Sequence, residues 1–262
     1  MIAGRPGTGK TVLGTGMSDN VSIKNGGSSL IFSLEMSHTE LAKRTLASAA
    51  TVRQDLIDSG KALEDEEACL RMSAAVNKVA DVDVRLCDKP ALSFSRLCSI
   101  ARFEHRVRPL SLIVIDYLGL IQPDQNSKHQ NRNQEVGAIS RGLKALAKEL
   151  EIPIIALVQL NRAIETRGDA RPKMSDLRDS GEIEQDADVI IMAHRDNNTP
   201  HGEQGLTEFD VVKCRHAKPG MCLLQFQGDY ARFVSVANVT KDEYYSSKEK
   251  PKARKSSASF LQ

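Results

Sequence analysis

Aromatic residues are scarce in this sequence: they make up 4% of it, and there is no tryptophan. Proteins that bind single-stranded nucleic acid without sequence preference often stack the bases on aromatic side chains. The scarcity argues against such an aromatic platform. An excess of positive charge is also missing, because the formal net charge is only +2. Any surface for nucleic acid must therefore be local, or must be assembled from several copies of the chain.

The chain also lacks the patterns of a disulfide framework, a zinc site and a membrane span. Its five cysteines form no C-x-x-C pair, and their odd number and wide spacing indicate a reducing compartment. The cysteines and histidines show no spacing typical of zinc ligands. No apolar run approaches the length of a membrane helix, and no signal-peptide pattern opens the chain. We therefore expect a cytoplasmic protein without a membrane segment.

Short apolar runs alternate with segments of helical periodicity through most of the chain. The runs predicted as strands are 1–3, 28–34, 82–86, 112–115, 152–158 and 189–193, and the segments predicted as helices are 37–50, 64–79, 93–108 and 135–150. Ser37 and Glu40 fit a capping box, in which each side chain bonds the other residue's backbone N–H. The alternation predicts an α/β fold with a mostly parallel sheet flanked by helices.

The end of the chain has a different pattern. Runs at 207–214, 221–226 and 230–236 are short and separated by glycine-containing turns, which predicts antiparallel strands at the C-terminal end of the sheet. The polar stretch 122–134 is predicted to be a loop, and 161–186 is a long polar segment. We expect residues 1–240 to form one domain with a truncated first strand. Residues 241–262 should form a disordered, polar and basic tail.

The turn-rich segment after the first strand carries a phosphate-binding pattern. It satisfies G-x-x-x-x-G-K-[ST] between a strand and a helix, which is the context of a P-loop. Glycines let successive backbone N–H groups face the phosphates, and the helix N-terminus adds a positive dipole. Lys10 would reach the β- and γ-phosphates of ATP, and the Thr11 hydroxyl would ligate Mg²⁺. The residues expected to bind the nucleotide are Gly4, Arg5, Pro6, Gly7, Thr8, Gly9, Lys10 and Thr11.

Three polar side chains follow apolar runs, so we expect them at the carboxyl edge of the sheet, where ligands bind in open α/β folds. Asp116 ends L-I-V-I-D, a Walker B pattern, and would hold Mg²⁺ through water. Glu35 follows the run 28–34 and is either a base for the attacking water or a solvated charge at a helix start. Gln159 follows the run 152–158 and is either a contact to the γ-phosphate or an ordinary loop glutamine.

Five strings of the sequence resemble the C-terminal motor domain of replicative DnaB-type helicases. They are F-S-L-E-M at 32–36, I-V-I-D-Y-L at 113–118, L-V-Q-L-N-R at 157–162, S-D-L-R-D-S-G-E-I-E-Q-D-A-D at 175–188 and V-V-K-C-R at 211–215. They occur in the family's order and with similar spacing. The S-D-L-R-D-S-G block is the most specific, because no general requirement of a fold dictates it. The resemblance implies a RecA-like P-loop core and an ATP-dependent DNA helicase.

The resemblance also implies roles for individual residues. Glu35 matches the family's catalytic glutamate, and Gln159 matches its γ-phosphate sensor. Lys213 and Arg215 match a pair that reaches the nucleotide of a neighbouring subunit, with Arg215 as the arginine finger. Such a finger stabilises the charge that develops on the transferred phosphoryl group. Hydrolysis in one subunit would then depend on the position of its neighbour.

A loop for single-stranded DNA is implied in the same way. Arg178, Asp179 and Gly181 match the residues that bind DNA in the family's central channel. Arg178 would supply charge, and Gly181 would expose its backbone N–H to a phosphate. Without the family, Arg178 could instead form a surface ion pair with Asp176 or Asp179.

We therefore expect a hexameric ring that hydrolyses ATP at subunit interfaces, moves 5′-to-3′ on single-stranded DNA and unwinds duplex during replication. The family implies primase and a helicase loader as partners. The chain begins almost at the P-loop, so we expect the family's N-terminal domain and linker helix to be absent, and ring assembly by this chain alone is in question. Two alternatives share the P-loop: a RecA-type filament ATPase, and a truncated module that binds DNA or a partner without hydrolysing ATP.

Overall fold

The computed structural model describes residues 1–124, 132–160, 171–177 and 181–236. Within these residues the strands form one mixed sheet in the order β3-β2-β4-β5-β1-β6-β7-β8-β9. Pairings among β1 to β6 are parallel, and those that join β7, β8 and β9 are antiparallel. The predicted α/β architecture is therefore confirmed. The strands are β1 (Ile2–Gly4), β2 (Ser29–Ser33), β3 (Val84–Cys87), β4 (Leu112–Asp116), β5 (Ile154–Gln159), β6 (Val189–His194), β7 (Leu206–Cys214), β8 (Gly220–Gln227) and β9 (Arg232–Ser235).

Helices connect the parallel strands. The predicted capping box forms at the start of α2, where the Ser37 N–H donates to the Glu40 carboxylate at 2.9 Å and the Glu40 N–H donates to the Ser37 hydroxyl. Two backbone donors at the helix start are satisfied in this way. The helices are α1 (Lys10–Asp19), α2 (His38–Ala50), α3 (Gln54–Ser59), α4 (Glu66–Ala80), α5 (Phe94–Val107), α6 (Arg132–Leu150), α7 (Gly181–Asp186) and α8 (Pro200–Glu203).

The central strands are buried on both faces, which explains their unbroken apolar sequences. Phe32 of β2 belongs to a cluster that includes Leu143 of α6, whereas the preceding residue, Ile31, packs in a second cluster with Leu41 of α2. Successive side chains of a strand point to opposite faces, so the helices cover the sheet from both sides. Truncating the fully buried Phe32 to alanine would lower the free energy of unfolding by about 3–5 kcal/mol.

The first strand is short but central. Ile2 pairs with Leu157 of β5 on one side and with Ile191 of β6 on the other. Ile2 and Ala3 are both buried. A strand of three residues is stable here because neighbouring strands hydrogen-bond to it on both sides. It lies in the middle of the sheet.

Several elements differ from the sequence prediction. Helix α6 begins inside the stretch predicted as a loop, where Arg132 and Glu135 form an ion pair at 2.8 Å across one turn. Helix α7 forms within the polar segment 161–186, because Ile183 is buried in the main core cluster. Strand β9 begins only at Arg232, since a 3₁₀ turn precedes it. Helices α3 and α8 are too short for periodicity to reveal them.

Two predictions fall on parts of the chain outside the described residues. One is the disordered tail at 241–262, and the other concerns Arg178 and Asp179. Among the residues that the structure does describe, no helix is both long enough and apolar enough to cross a membrane.

Candidate active site

The segments predicted to form the site meet at one edge of the sheet. The order β2-β4-β5-β1 places the carboxyl ends of these four strands side by side. Gly4, at the end of β1, is the register partner of Gln159, at the end of β5. Ser33, two residues before Glu35, pairs with Asp116 at the end of β4. The structure therefore brings the glycine-rich loop, Glu35, Asp116 and Gln159 together.

The glycine-rich loop turns the chain from β1 into α1, which begins at Lys10. Gly9 has a φ of 90°, in the left-handed region that favours glycine. A Cβ atom on Gly9 would also lie 2.7 Å from the ring of Phe233, so no larger residue fits. A Cβ atom on Gly4 would lie 2.9 Å from the Ala193 carbonyl oxygen. The first N–H groups of α1 lack intrahelical acceptors, which makes the loop a candidate anion site.

The Lys10 side chain is turned back onto the loop. Its Nζ atom donates to the carbonyl oxygens of Gly4 and Arg5, at 2.7 Å each. Burial lowers the pKa of Lys10 to about 8, against the opposing effect of the negative charges of Asp116 and Glu35. The ammonium is partly buried, its hydrogen bonds go to neutral carbonyls, and the two carboxylates offset the effect of burial only in part. An anion in the loop would therefore stabilise its charged form.

Asp116 and Thr11, which follows Lys10, form a pair of candidate oxygen ligands, of which Asp116 is buried and Thr11 partly buried. Asp116 is 5% exposed, and the Thr11 side chain hydrogen-bonds to it. Burial raises the pKa of Asp116, as does the charge of Glu35, while the bond from Thr11 opposes the rise. Oδ2 of Asp116 has no hydrogen-bond partner among the described residues. A carboxylate with an unused buried oxygen next to a hydroxyl fits a hydrated Mg²⁺ ion, a hard cation that prefers oxygen ligands.

Glu35 and Gln159 stand on either side of Asp116, at the ends of β2 and β5. Both side chains are exposed, so water and a ligand can reach them. The charge of Glu35 affects the pKa of both Lys10 and Asp116, so the three groups are within electrostatic range. These positions suit a group that acts on water and a neutral group that contacts a phosphate.

Lys213 and Arg215 lie toward the opposite edge of the sheet. Because β7 runs antiparallel to β6, Lys213 is level with Ile190, near the start of β6. Gly4, where the phosphate-binding loop starts, is level with Ala193, near the end of that strand. At about 3.3 Å per residue, the two cations are offset from the loop by roughly 10–16 Å along the strands.

The contacts of these two cations keep them away from the loop. Lys213 Nζ donates to the carbonyl of Glu184. Arg215 Nη2 donates to the Gln185 carbonyl at 3.0 Å, and its Nε lies 3.6 Å from the Asp188 carboxylate. The carbonyls at the end of α7 carry partial negative charge, which favours cations there. Within the part of the chain that the structure describes, the hydrogen bonds and ion pairs of both side chains go to α7 and Asp188 and not to the glycine-rich loop.

The loop predicted to bind DNA is only partly described: the structure includes Gly181 but neither Arg178 nor Asp179. The segments on either side of it are anchored by Leu177 and Ile183, which are both buried. Leu177, Ile183 and Gln159 line one cleft of about 170 Å³. The flanks of the predicted DNA loop therefore adjoin the predicted phosphate contact.

Comparison with known families decides where the chain belongs. The family model of the DnaB-like helicase C-terminal domain matches residues 1–235. The chain belongs to this family. The replicative DNA helicase DnaB of Geobacillus stearothermophilus is 39% identical over 238 residues, which are 90% of this chain and 52% of that protein. The corresponding protein of Pasteurella multocida is 39% identical over 250 residues, 93% of this chain and 53% of its own. The chain thus spans about half the length of the curated relatives it matches.

Solved structures agree with this DnaB-family assignment. One of them, described as an ATPase domain, superposes with a TM-score of 0.83 at 33% identity, covering 90% of this chain and 83% of that one. A DnaB-like replicative helicase, described with its interactions with primase, gives a TM-score of 0.83 at 32% identity and covers 90% and 56%. The predicted RecA-like fold and the resemblance to the DnaB C-terminal domain are confirmed. The names of the relatives agree with the predicted enzyme class, an ATP-dependent DNA helicase.

The sequence reasoning missed two arginines near the loop of this DnaB-family domain. Arg195 follows β6 directly and donates to the Gly7 carbonyl. Arg44 of α2 affects the pKa of Asp116, and its buried Nε has no hydrogen-bond partner among the described residues. The position just after a parallel strand is a signal that would have found Arg195. No pattern in the sequence marks Arg44.

Proposed function

We propose that this chain is the motor domain of an ATP-driven replicative DNA helicase. It would hydrolyse ATP at subunit interfaces, move along single-stranded DNA and unwind duplex. The observation that carries the proposal is the arrangement of the loop lysine, the Walker B aspartate, Glu35 and Gln159 at one sheet edge. Phosphoryl transfer needs a phosphate cradle, a metal site, a group that orients the nucleophile and cations that stabilise charge. Membership of the DnaB family supports single-stranded DNA as the polymer along which the motor moves.

Nucleotide binding would begin with the loop and its lysine. Lys10 would exchange the carbonyls of Gly4 and Arg5 for the β- and γ-phosphates of ATP. The exchange would be favourable because it gives a partly buried cation an anionic partner. Thr11 and Asp116 would hold Mg²⁺, the aspartate through water, and the ion would neutralise phosphate charge when bound.

Hydrolysis would use the two exposed side chains of the same edge. Glu35 would orient the attacking water and accept its proton, which its exposure and its short distance in the sheet from Asp116 allow. Gln159 would contact the γ-phosphate through its amide. Gln159 pairs in register with Gly4. Loss of the γ-phosphate would therefore alter the contacts at the point where β5 meets the loop.

Lys213 and Arg215 would act on a neighbouring subunit. Their offset from the loop of their own chain, and their contacts with the end of α7, support action in trans. In a ring with head-to-tail interfaces, the edge that carries these cations on one subunit can face the nucleotide of the next. Arg215 would then stabilise the charge that develops on the transferred phosphoryl group.

DNA contact is proposed for Arg178, Asp179 and Gly181, on the strength of their match to the family. The first would supply charge to the DNA backbone, and the last would offer a backbone N–H to a phosphate. The adjoining cleft at Gln159 supports a link between nucleotide state and the position of this loop. A change at the γ-phosphate could in this way displace bound DNA.

The complete assembly is proposed from the family. We expect a hexameric ring, movement in the 5′-to-3′ direction, and primase and a loader as partners. One structural neighbour is described with its interactions with primase. Because the chain spans about half the length of its relatives, ring formation is proposed for the domain within a longer protein.

Binding and turnover of ATP test the proposal directly. Lys10→Ala should abolish binding of ATP and ADP in calorimetry, because it removes the only ammonium of the predicted cradle. Asp116→Asn should retain ADP binding in EDTA but lose the Mg²⁺-dependent gain and the hydrolysis of ATP. Asp58→Asn, at an exposed ion pair with Lys43, is the matched control and should change neither.

Two results would contradict the proposal. Unchanged ATP binding by Lys10→Ala would remove the assignment of the loop. Normal binding by the parent chain without turnover, in an assembled ring with single-stranded DNA, would favour the non-hydrolysing module. Size-exclusion chromatography with ATP and Mg²⁺ would distinguish closed rings from the open filaments of a RecA-type ATPase.

A further inference from the structure

Arg195 is bound to the glycine-rich loop from outside. It follows β6 at the carboxyl edge of the sheet, and its Nη2 donates to the carbonyl of Gly7. Its Nε donates to the Asn197 side chain at 3.2 Å, which fixes the plane of the guanidinium. Gly7 has a φ of 77°, in the left-handed region. Glycine has access to several backbone conformations, so contacts of the loop must select this one.

The guanidinium of Arg195 rests on an aromatic platform. Its central carbon lies 4.6 Å from the centroid of the Phe226 ring on β8, a distance typical of a cation–π contact. Phe226 packs at 5.1 Å against Phe233 on β9, which packs edge-on at 5.2 Å against Phe209 on β7. Three of the few aromatic residues of this chain therefore support one arginine beside the loop.

The surroundings of Arg195 destabilise a charged guanidinium. Its Nη1 is buried and has no hydrogen-bond partner among the described residues, and burial lowers its pKa below the ordinary value. The described residues place no carboxylate within ion-pair distance of it. A buried donor without a partner destabilises a fold, so stability alone does not account for an arginine here.

The bond from Arg195 fixes the orientation of the peptide between Gly7 and Thr8. In a planar trans peptide the carbonyl and the N–H point in opposite directions. Because Arg195 holds the Gly7 carbonyl, the Thr8 N–H points away from the guanidinium. There it makes only a long hydrogen bond, 3.4 Å, to the Arg5 carbonyl. The same carbonyl accepts Lys10 Nζ, so this N–H lies on the side of the loop where the proposed function places the phosphates. Its present bond is long enough to exchange for a phosphate oxygen.

We propose that Arg195, supported by Phe226, is a positioning residue that keeps the Gly7–Thr8 peptide oriented for binding a polyphosphate. The inference rests on the proposed nucleotide binding and deepens it. In this proposal Arg195 acts through the backbone of the loop, by its bond to the Gly7 carbonyl, and not through the base or sugar. Its loss should therefore weaken every ligand that carries the phosphate chain, including inorganic tripolyphosphate, by a similar factor.

Calorimetric binding of ATP, ADP and inorganic tripolyphosphate, without DNA, tests this inference. Arg195→Gln should weaken all three about tenfold, the loss expected when one charged hydrogen bond that orders the loop is removed. Arg195→Lys keeps a charged donor for the Gly7 carbonyl and should recover most of the affinity. Arg71→Gln, at an exposed ion pair with Glu67 on α4, is the matched control and should bind normally. In steady-state hydrolysis Arg195→Gln should raise KM and leave kcat nearly unchanged.

Two outcomes would overturn the inference. One is unchanged affinity of Arg195→Gln for all three ligands, and the other is weakened ATP with unchanged tripolyphosphate, which would mean direct contact with the nucleoside. If Arg195→Gln lowers Tm by many degrees, Phe226→Leu provides the test. It removes the ring beneath the guanidinium but keeps apolar volume, and must weaken the three ligands equally. Lys10→Ala separates the two proposals. If Lys10→Ala loses nucleotide binding while Arg195→Gln binds normally, only the role of Arg195 is refuted and the proposed nucleotide site stands.

Discussion

Gly4 and Gln159 are register partners across β1 and β5, and the carbonyl of Gly4 joins the sheet to the loop lysine. That oxygen accepts the Leu160 N–H at 3.1 Å and Lys10 Nζ at 2.7 Å. When Lys10 turns to a phosphate in the proposed function, we expect the bond from Leu160 to remain, because it does not involve the lysine. We therefore expect the loop to stay anchored to β5 when Lys10 turns away from the Gly4 carbonyl.

Nucleotide affinity should fall as pH rises above 8. The pKa of Lys10 is lowered to about 8 by burial, and only the charged form binds a phosphate well. A bound phosphate raises this pKa again, so binding takes up a proton above pH 8. We expect the Kd for ADP to rise about tenfold between pH 7 and pH 9.

Calorimetry in buffers with different ionisation enthalpies measures that proton uptake. Lys10→Arg is the control, because its guanidinium stays charged throughout and its Kd should stay flat. A flat profile for the parent chain would show that Lys10 is still fully charged at pH 9.

Without nucleotide, the unfolded chain keeps this proton up to the ordinary pKa of 10.5 whereas the folded chain releases it near 8. The lysine thus makes the free energy of unfolding rise with pH between these values.

The sequence predicted those parts of the site that depend on local pattern. The glycine-rich loop, Asp116 and Glu35 each follow an apolar run, and the carboxyl ends of parallel strands meet at one edge. Their convergence is therefore a consequence of the α/β alternation. The capping box at Ser37 and Glu40 is local in the same sense, since both partners lie within one helical turn.

The parts that the sequence did not predict depend on long-range contacts. Arg195 meets Phe226 only because β8 reaches the loop by antiparallel pairing through β7. Helix α7 forms in a polar segment because Ile183 finds space in a core built by distant elements. Tertiary packing overrides local propensity in such cases.

Glu35→Gln should separate chemistry from binding. The substitution removes a base but leaves the phosphate cradle unchanged, so the Kd for ATP should stay within about threefold while hydrolysis falls on the order of 10²–10⁴-fold. Equilibrium binding and phosphate release, measured on assembled rings, give the two numbers. Glu64→Gln, an exposed carboxylate away from the site, should leave both unchanged. A collapse of affinity with normal turnover per bound ATP would make Glu35 structural.

Ser37→Ala tests the helix that follows Glu35. The Ser37 hydroxyl accepts the Glu40 N–H at the start of α2, and its loss should cost about 1 kcal/mol of the free energy of unfolding. For a domain of this size the fall in Tm should be about 2–4 °C by calorimetry. Ser99→Ala is the matched control inside α5, where alanine is the better helix former and Tm should not fall. An equal Tm for parent and Ser37→Ala would show that the capping box contributes little.

Arg215→Ala tests action in trans, and it requires a longer chain that forms rings. Arg215 binds the Gln185 carbonyl of its own chain, far along the sheet from its own loop. The Arg215→Ala ring should therefore bind ATP normally, because each phosphate cradle is intact. Its hydrolysis should fall by about 10³–10⁵, the loss typical of a missing arginine finger. The exposed Arg71→Ala ring should hydrolyse ATP at the parent rate.

Mixing two inactive variants decides where Arg215 acts. Lys10→Ala subunits lack the cradle but keep Arg215, and Arg215→Ala subunits keep the cradle but lack the finger. A mixed ring contains junctions at which an intact cradle faces an intact Arg215, so ATPase activity should reappear and peak near equal proportions. Activity in cis predicts no recovery at any ratio, because every active cradle would sit in a subunit without its own arginine. An Arg215→Ala ring as active as the parent would refute the interface mechanism, even though the nucleotide site itself would stand.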